Sequence, residues 1–158
     1  MRKAAQRQEA TGGDVVSGTS ISGVHPVAER KPEAVLVVDD HEDVRFVIAE
    51  LLRMAGLRVV TASSGREALV ALGAVRPDLV LTDVCMPEMS GIELTETIRT
   101  RESLDGVPVI LMSAAYDEDA LLVSARRLGC PLVSKNLAAP ESLLEAVRSA
   151  LRREAAAV

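Results

Sequence analysis

The 158-residue sequence has almost no aromatic side chains: tryptophan is absent, and Phe46 and Tyr116 are its only Phe and Tyr residues. It also lacks an excess of positive charge, because its formal net charge is -5 at pH 7. Proteins that bind single strands stack bases on aromatic rings, and proteins that bind duplexes neutralise phosphates with Lys and Arg. The composition therefore argues against nucleic acid as a partner.

Long apolar runs are missing as well. No segment approaches the roughly 18 apolar residues of a membrane-spanning helix, and no apolar stretch follows Arg2 and Lys3 as it would in a secretory signal. We therefore expect a cytoplasmic protein with no membrane partner. The two cysteines, Cys85 and Cys130, show no spacing typical of metal or redox sites, and we interpret both as small packing residues.

What the sequence does contain is a recurring pattern in which a short apolar run is followed at once by polar groups. The pattern occurs at four places: Val35 to Val38 before Asp39-Asp40, Leu79 to Leu81 before Asp83, Val109 to Met112 before Ser113, and Leu132 to Ser134 before Lys135. In an open parallel sheet the carboxyl ends of the strands lie at one edge, where such folds bind their ligands. We therefore expect these polar side chains to share one cleft.

Strand-like and helix-like segments alternate along the chain, five of each. The helices are predicted to begin near Asp43, Gly65, Ile92, Asp117 and Pro140. This alternation predicts a doubly wound α/β fold with right-handed crossovers, formed by one domain over residues 34–153. Residues 1–33 show neither helical nor strand periodicity and are predicted to be a flexible extension. Residues 154–158 are predicted to be a short tail, too small for an output domain.

The acidic residues of the predicted cleft favour a metal ion. Asp39, Asp40 and Asp83 would bring three carboxylates together, and close like charges raise each other's pKa unless a cation intervenes. A hard divalent cation prefers oxygen ligands, and Mg²⁺ keeps coordinated water that a phosphate-bearing substrate can displace. We therefore expect Mg²⁺ as the cofactor. His41, beside the acidic pair, is interpreted as a partly exposed flanking residue rather than a ligand.

Taken together, these residues resemble the receiver domain of two-component response regulators. The acidic pair Asp39-Asp40, the acceptor Asp83, Ser113 and Lys135 follow that family's order and spacing, as does the turn from Met86-Pro87 to Gly91. The resemblance covers Ala34 to Arg153 and implies a flavodoxin-like five-stranded sheet in the order 2-1-3-4-5. It further implies a stand-alone, non-enzymatic signalling domain. Such a domain takes phosphate from a sensor histidine kinase or phosphotransfer protein and acts on a downstream protein target.

The resemblance also implies a role for each site residue. Asp83 would be the phosphoacceptor. The ligands of Mg²⁺ would be Asp40, Asp83 and the backbone carbonyl of Cys85, with Asp39 acting mainly through water. The phosphoryl group would be contacted by Lys135 and by the hydroxyl of Ser113, with Ala114 small enough to leave the acceptor accessible.

Two positions depart from the family pattern. Asn136 follows the lysine where receivers usually have proline, often with a cis peptide; a non-proline cis bond costs about 3 kcal/mol, so we expect a trans peptide here. Leu132 stands where many receivers carry an aromatic switch residue. The switch candidates are therefore Ser113, Leu132 and, as a substitute reporter, Tyr116. We expect the surface of helix four, strand five and helix five to respond by a less conventional route.

Several other functions are compatible with parts of this pattern. A dinucleotide- or flavin-binding oxidoreductase would need a glycine-rich loop, but the first loop is acidic and has no glycine. A phosphatase with an aspartate nucleophile would place a second acid where Cys85 stands. A receiver cut from a DNA-binding regulator would need a following module. The alternative that Asn136 and Leu132 leave open is a phosphate-independent pseudo-receiver that only binds protein.

Overall fold

The computed structural model describes residues 31–114 and 119–156, and within them five parallel strands form one sheet. The strands are β1 (Ala34–Val38), β2 (Arg58–Ala62), β3 (Leu79–Asp83), β4 (Val109–Ser113) and β5 (Leu132–Ser134), in the order β2-β1-β3-β4-β5. β1, β3 and β4 are buried along their whole length, as expected of parallel strands covered on both faces. The predicted doubly wound sheet and its strand order are confirmed.

Five α-helices in the same part of the chain cover the two faces of the sheet. They are α1 (Glu42–Met54), α2 (Gly65–Ala74), α3 (Gly91–Arg99), α4 (Asp119–Arg127) and α5 (Glu141–Ala156), with a short 3-10 helix at Glu102–Leu104. Ile48 of α1 and Val147 of α5 belong to one buried cluster, while Ala68 of α2, Leu94 of α3 and Leu121 of α4 belong to the other. The sheet therefore lies between a layer of two helices and a layer of three.

Local sequence signals account for several helix ends. Ser64 caps α2 by accepting a hydrogen bond from the Glu67 backbone N–H, which satisfies one of the amides that a first turn leaves free. Gly56, just beyond α1, has φ +87, a left-handed conformation that glycine adopts without the steric cost of a Cβ atom. These signals set where the chain turns back toward the sheet.

Two helices, α2 and α5, end later than predicted. α2 runs to Ala74, two residues past its expected end near Leu72. α4 is described only from Asp119, so its predicted start at Asp117 lies outside the described residues. α5 continues beyond Arg153 to Ala156, because alanine is the best helix former and the helix is not interrupted there. Residues 154–156 are thus helical rather than tail. Among the described residues, no helix is both long enough and apolar enough to cross a membrane.

Candidate functional site

The carboxyl ends of β1, β3, β4 and β5 bring four polar side chains to one edge of the sheet. Asp39, Asp83 and Ser113 are buried, with 0%, 3% and 2% of their surfaces exposed. The strand register explains this convergence, since Val38 pairs with Thr82, Asp83 with Met112 and Ser113 with Ser134. The predicted meeting of these strand ends is what the structure shows.

Lys135 connects the buried carboxylates. Its Nζ lies 2.8 Å from Asp39 Oδ2 and 2.9 Å from Asp83 Oδ2, and only 9% of its side chain is exposed. Its backbone N–H donates a 2.9 Å hydrogen bond to the Ser113 carbonyl, which fixes the base of the side chain to the end of β4. The lysine is thus held at its main chain and aimed at both acids.

The pKa values of Asp83 and Lys135 follow from the burial of each group and from the charges beside it. Burial raises the pKa of the Asp83 carboxyl; Lys135 and the Cys85 backbone N–H act to lower it, and the neighbouring Asp39 charge raises it further. Burial lowers the pKa of the Lys135 ammonium, but its contacts with the Asp39 and Asp83 carboxylates outweigh burial and leave that pKa raised. At neutral pH the site therefore contains a charged lysine beside a carboxyl group whose ionised form is less favourable in the folded protein than in the unfolded chain.

We expect Asp83→Asn to make the protein more stable at neutral pH when a chelator keeps metal away. Because the pKa of Asp83 is raised in the folded state, the folded protein binds more protons than the unfolded chain just above the ordinary Asp pKa. Stability should therefore fall as the pH rises through that window, and the asparagine variant should not show this fall. Urea unfolding followed by far-UV circular dichroism from pH 4 to 7 measures it; wild-type and variant curves of identical pH dependence would contradict the assignment.

Asp40 and His41 complete a cluster at the outer side of the buried acids. One donor atom from each of Asp39, Asp40, His41 and Asp83 lies within 4.8 Å of the other three. The three carboxylates and the single ammonium of Lys135 leave two formal negative charges, which one divalent cation would balance. The donor set fits Mg²⁺, which prefers carboxylate oxygens.

The buried acids share one positive charge. Lys135 Nζ lies 2.8 Å from the buried Asp39 Oδ2 and 2.9 Å from Asp83 Oδ2, so a single ammonium serves two buried carboxylates. Buried charges are costly unless they are paired. The acidic cluster therefore carries more negative charge than this lysine alone balances.

The loop that follows Asp83 is held closely against the end of β3. The Gly91 N–H donates a 2.9 Å hydrogen bond to the Val84 carbonyl. At the start of α3, Ser90 and Glu93 form a reciprocal capping box. The predicted turn before Gly91 thus returns the chain within hydrogen-bond reach of the acceptor strand, and it limits how far Asp83 can move.

The remaining predicted residues have different surroundings. Ala114 is exposed at the end of β4. Leu132 is half-buried and packs against the cluster beneath α2, α3 and α4, so it is a packing residue in this structure. Asn136 accepts a 3.1 Å hydrogen bond from the Ala138 N–H, and the described residues contain no cis peptide, as expected for this position. Tyr116 lies outside the described residues.

The interpretation of the cysteines was half correct. Cys130 is buried, and burial raises the pKa of its thiol, as expected of a packing residue. Cys85 is exposed, so its side chain is not a packing residue. The physical reason is its place in the loop after β3, where side chains no longer alternate between two covered faces of the sheet.

Sequence reasoning missed one neighbour of the site, Arg45, and interpreted another, His41, as a flanking residue. His41 Nδ1 lies 3.1 Å from Asp40 Oδ1, so the imidazole is part of the cluster. Arg45, in the first turns of α1, donates from Nη1 to the Asp39 carbonyl at 2.7 Å and holds the β1–α1 loop. Adjacency to the acidic pair was a signal for His41, whereas nothing in the local pattern distinguishes Arg45 from a surface charge.

The sheet order and the carboxylate-lysine cluster at its edge define a flavodoxin-like α/β domain, and comparison with known proteins identifies its family. Residues 35–148 match the family model of the response regulator receiver domain. The chain is 32% identical over 126 residues to the probable transcriptional regulatory protein TcrX of Mycobacterium tuberculosis, covering 80% of this chain and 53% of TcrX. Over 118 residues it is 37% identical to hybrid signal transduction histidine kinase D of Dictyostelium discoideum, covering 63% of this chain and 8% of that protein.

A solved structure agrees with the sequence matches. The Vibrio cholerae chemotaxis protein CheY4 superposes with a TM-score of 0.69 at 28% identity, covering 76% of this chain and 99% of that one. The chain belongs to the response regulator receiver family, a family of phosphoacceptor signalling domains. It spans about half the length of TcrX and less than a tenth of the Dictyostelium kinase.

Proposed function

We propose that this chain is a working phosphoacceptor, which takes a phosphoryl group onto Asp83 from a sensor histidine kinase or phosphotransfer protein. The observation that carries the proposal is the contact of Lys135 Nζ with both buried carboxylates, 2.8 Å from Asp39 and 2.9 Å from Asp83. A lysine with a purely structural role would not need to lie beside an acid whose ionised form is unfavourable in the folded protein. Ionisable groups with such perturbed pKa values are typical of functional sites.

In the proposed step, a carboxylate oxygen of Asp83 bonds to phosphorus while the P–N bond of a phosphohistidine breaks. The imidazole leaves with the bonding electrons, and the three phosphoryl oxygens bring negative charge into the cleft. Lys135 neutralises part of that charge, and the Ser113 hydroxyl donates a hydrogen bond to one phosphoryl oxygen. The exposed Ala114 side chain leaves the acceptor open to its donor. Water later cleaves the aspartyl phosphate.

The residues that would hold Mg²⁺ are Asp40, Asp83 and the backbone carbonyl of Cys85, with Asp39 acting mainly through water. When bound, the ion supplies charge neutralisation for the acids and the phosphoryl oxygens. The two excess negative charges of the cluster support this assignment.

The test is intact-protein mass spectrometry after incubation with acetyl phosphate and Mg²⁺, a small donor that bypasses the choice of kinase. We expect a gain of one phosphoryl group, about 80 Da, on the nucleophilic carboxylate. Asp83→Asn and a chelated sample should show no gain, while Asp105→Asn, an exposed acid remote from the cleft, should behave as wild type. No gain in wild type would instead favour the phosphate-independent protein-binding module.

The output of the domain is also a proposal. We propose that phosphorylation changes the surface of α4, β5 and α5 and that a downstream protein binds this surface. We also propose that this chain acts as a stand-alone protein in the cytoplasm. Support comes from Lys135, whose backbone joins the end of β5 to Ser113 on β4, so a shift at the phosphoryl group would reach both strands. Amide NMR spectra of the same phosphorylated sample should show shifts on that face; unchanged spectra there would contradict the proposed output.

A further inference from the structure

His41 places a nitrogen donor at the rim of the acidic cluster. Its Nδ1 lies 3.1 Å from Asp40 Oδ1 and 3.6 Å from Asp39 Oδ1, and all three residues share the cluster with Asp83. The imidazole is 66% exposed, so it approaches the carboxylates from the solvent side, whereas only 9% of the Lys135 side chain is exposed. The cluster therefore offers one nitrogen and several oxygens, rather than oxygen alone.

Hydrogen bonds fix the position of the His41 main chain, from which the imidazole extends. His41 is the residue that precedes α1, and its N–H donates a 2.9 Å hydrogen bond to Asp39 Oδ1. Arg45 holds the neighbouring Asp39 carbonyl from the next turn. The histidine is thus attached to the acidic pair through its main chain, and few side-chain torsions separate it from the carboxylates.

The donor spacing suits a six-coordinate ion. With metal–ligand distances of about 2.1 Å, adjacent ligands of an octahedron lie about 3.0 Å apart and opposite ligands about 4.2 Å apart. The separations of His41 Nδ1 from the two aspartate oxygens, 3.1 and 3.6 Å, fall between these limits, whereas the four donors of the whole cluster lie up to 4.8 Å apart. Small side-chain adjustments would place the nitrogen and the carboxylate oxygens around a single cation.

An imidazole nitrogen binds some classes of cation better than others. Mg²⁺ strongly prefers oxygen ligands, whereas imidazole is a good ligand of divalent transition ions such as Co²⁺, Ni²⁺ and Zn²⁺. We propose that His41 is a further ligand of this cation site and shifts its preference toward divalent transition metals relative to Mg²⁺. The inference rests on the cation site of the proposed function, and it adds the class of ion that the site selects.

The experiment measures metal binding directly, without a phosphoryl donor. Affinities for Co²⁺ and Mg²⁺ are determined by calorimetry at one fixed pH near neutrality. The reference protein carries Cys85→Ser alone, because the exposed Cys85 thiol is itself a potential Co²⁺ ligand. His41→Ala and His25→Ala are compared with it in the same Cys85→Ser background, His25 being the other histidine of the chain.

We expect His41→Ala to weaken Co²⁺ binding at least about tenfold, as loss of a ligand or its support does in other metal sites, and to change Mg²⁺ binding less than about twofold. His25→Ala should match the Cys85→Ser reference. With Mn²⁺ bound, pulsed electron paramagnetic resonance should detect an imidazole nitrogen in the reference and in His25→Ala but not in His41→Ala. Equal losses for Co²⁺ and Mg²⁺, unchanged Co²⁺ affinity, or a nitrogen signal that survives in His41→Ala would overturn the proposal.

The same proteins distinguish this inference from the proposed function. If His41 ligates the metal but acetyl phosphate adds no mass, the phosphoacceptor role fails and the metal preference stands. If mass is gained with Mg²⁺ but Co²⁺ affinity does not depend on His41, the phosphoacceptor role stands and the metal preference fails.

Discussion

Replacing Lys135 with methionine is expected to lower the free energy of unfolding by about 3 kcal/mol near neutral pH, as removal of one partner from a buried ion pair does. It should also reduce phosphoryl uptake at Asp83 at least about a hundredfold, because the phosphoryl charge would lose its positioned cation. Methionine has a similar length and fills the space, so the loss reports the charge. The 9% exposure of the lysine leaves little water to compensate.

The loss of stability should depend on pH in a definite direction. Without the ammonium, the Asp39 and Asp83 carboxylates face each other, and the already raised pKa of Asp83 should rise further. Because the folded protein then holds its proton to higher pH, the destabilisation should be largest above that pKa and should shrink as the pH falls through it. Added Mg²⁺ should restore part of the stability by replacing the missing positive charge.

Urea unfolding in chelator, at pH 4.5 and pH 7.5, measures this effect. Lys135→Arg keeps the charge and should retain more stability than methionine, while Lys31→Met, at an exposed position, should match wild type. An equal loss at both pH values would show that packing, not charge, is responsible, and would refute the electrostatic role of Lys135.

Adding a single methyl group at Gly91 should disturb the acceptor Asp83 almost as strongly as replacing Lys135 with methionine. A Cβ atom there would press into the Asp83 carbonyl oxygen and would lie 3.0 Å from the Asp83 carbonyl carbon and 3.1 Å from Val84 Cα. All of these are backbone atoms, so the loop itself must move. We expect Gly91→Ala to destabilise the protein by about 2 to 3 kcal/mol, the usual cost of overpacking.

The same movement should slow phosphoryl uptake, because it displaces the backbone that carries the acceptor. A displacement near 1 Å can cost on the order of a hundredfold in rate, so we expect a loss of tenfold or more with acetyl phosphate. Gly73→Ala is the matched control: a Cβ at Gly73 meets nothing within 4 Å, and alanine should stabilise α2 by about 0.5 kcal/mol. If Gly91→Ala phosphorylates and unfolds as wild type, the close approach of this loop is not a constraint on the site.

Much of the fold was predictable because its signals are local. β1, β3 and β4 are covered on both faces, and such strands must be nearly continuous apolar runs, which the sequence displays. The helix ends were less predictable. α5 extends to Ala156 because nothing in its last turn interrupts it, whereas the expected tail was inferred from shortness alone.

The site divides in the same way. Sequence patterns were enough to predict which residues meet, because each of the four polar residues lies at or just after the end of a strand and parallel strands end at one edge. The contact of Lys135 with both buried acids, the exposure of Cys85 and the place of His41 in the cluster became evident from the packed structure alone. The reason is physical: periodicity fixes which element carries a residue, but distances of a few ångström depend on how separate elements pack.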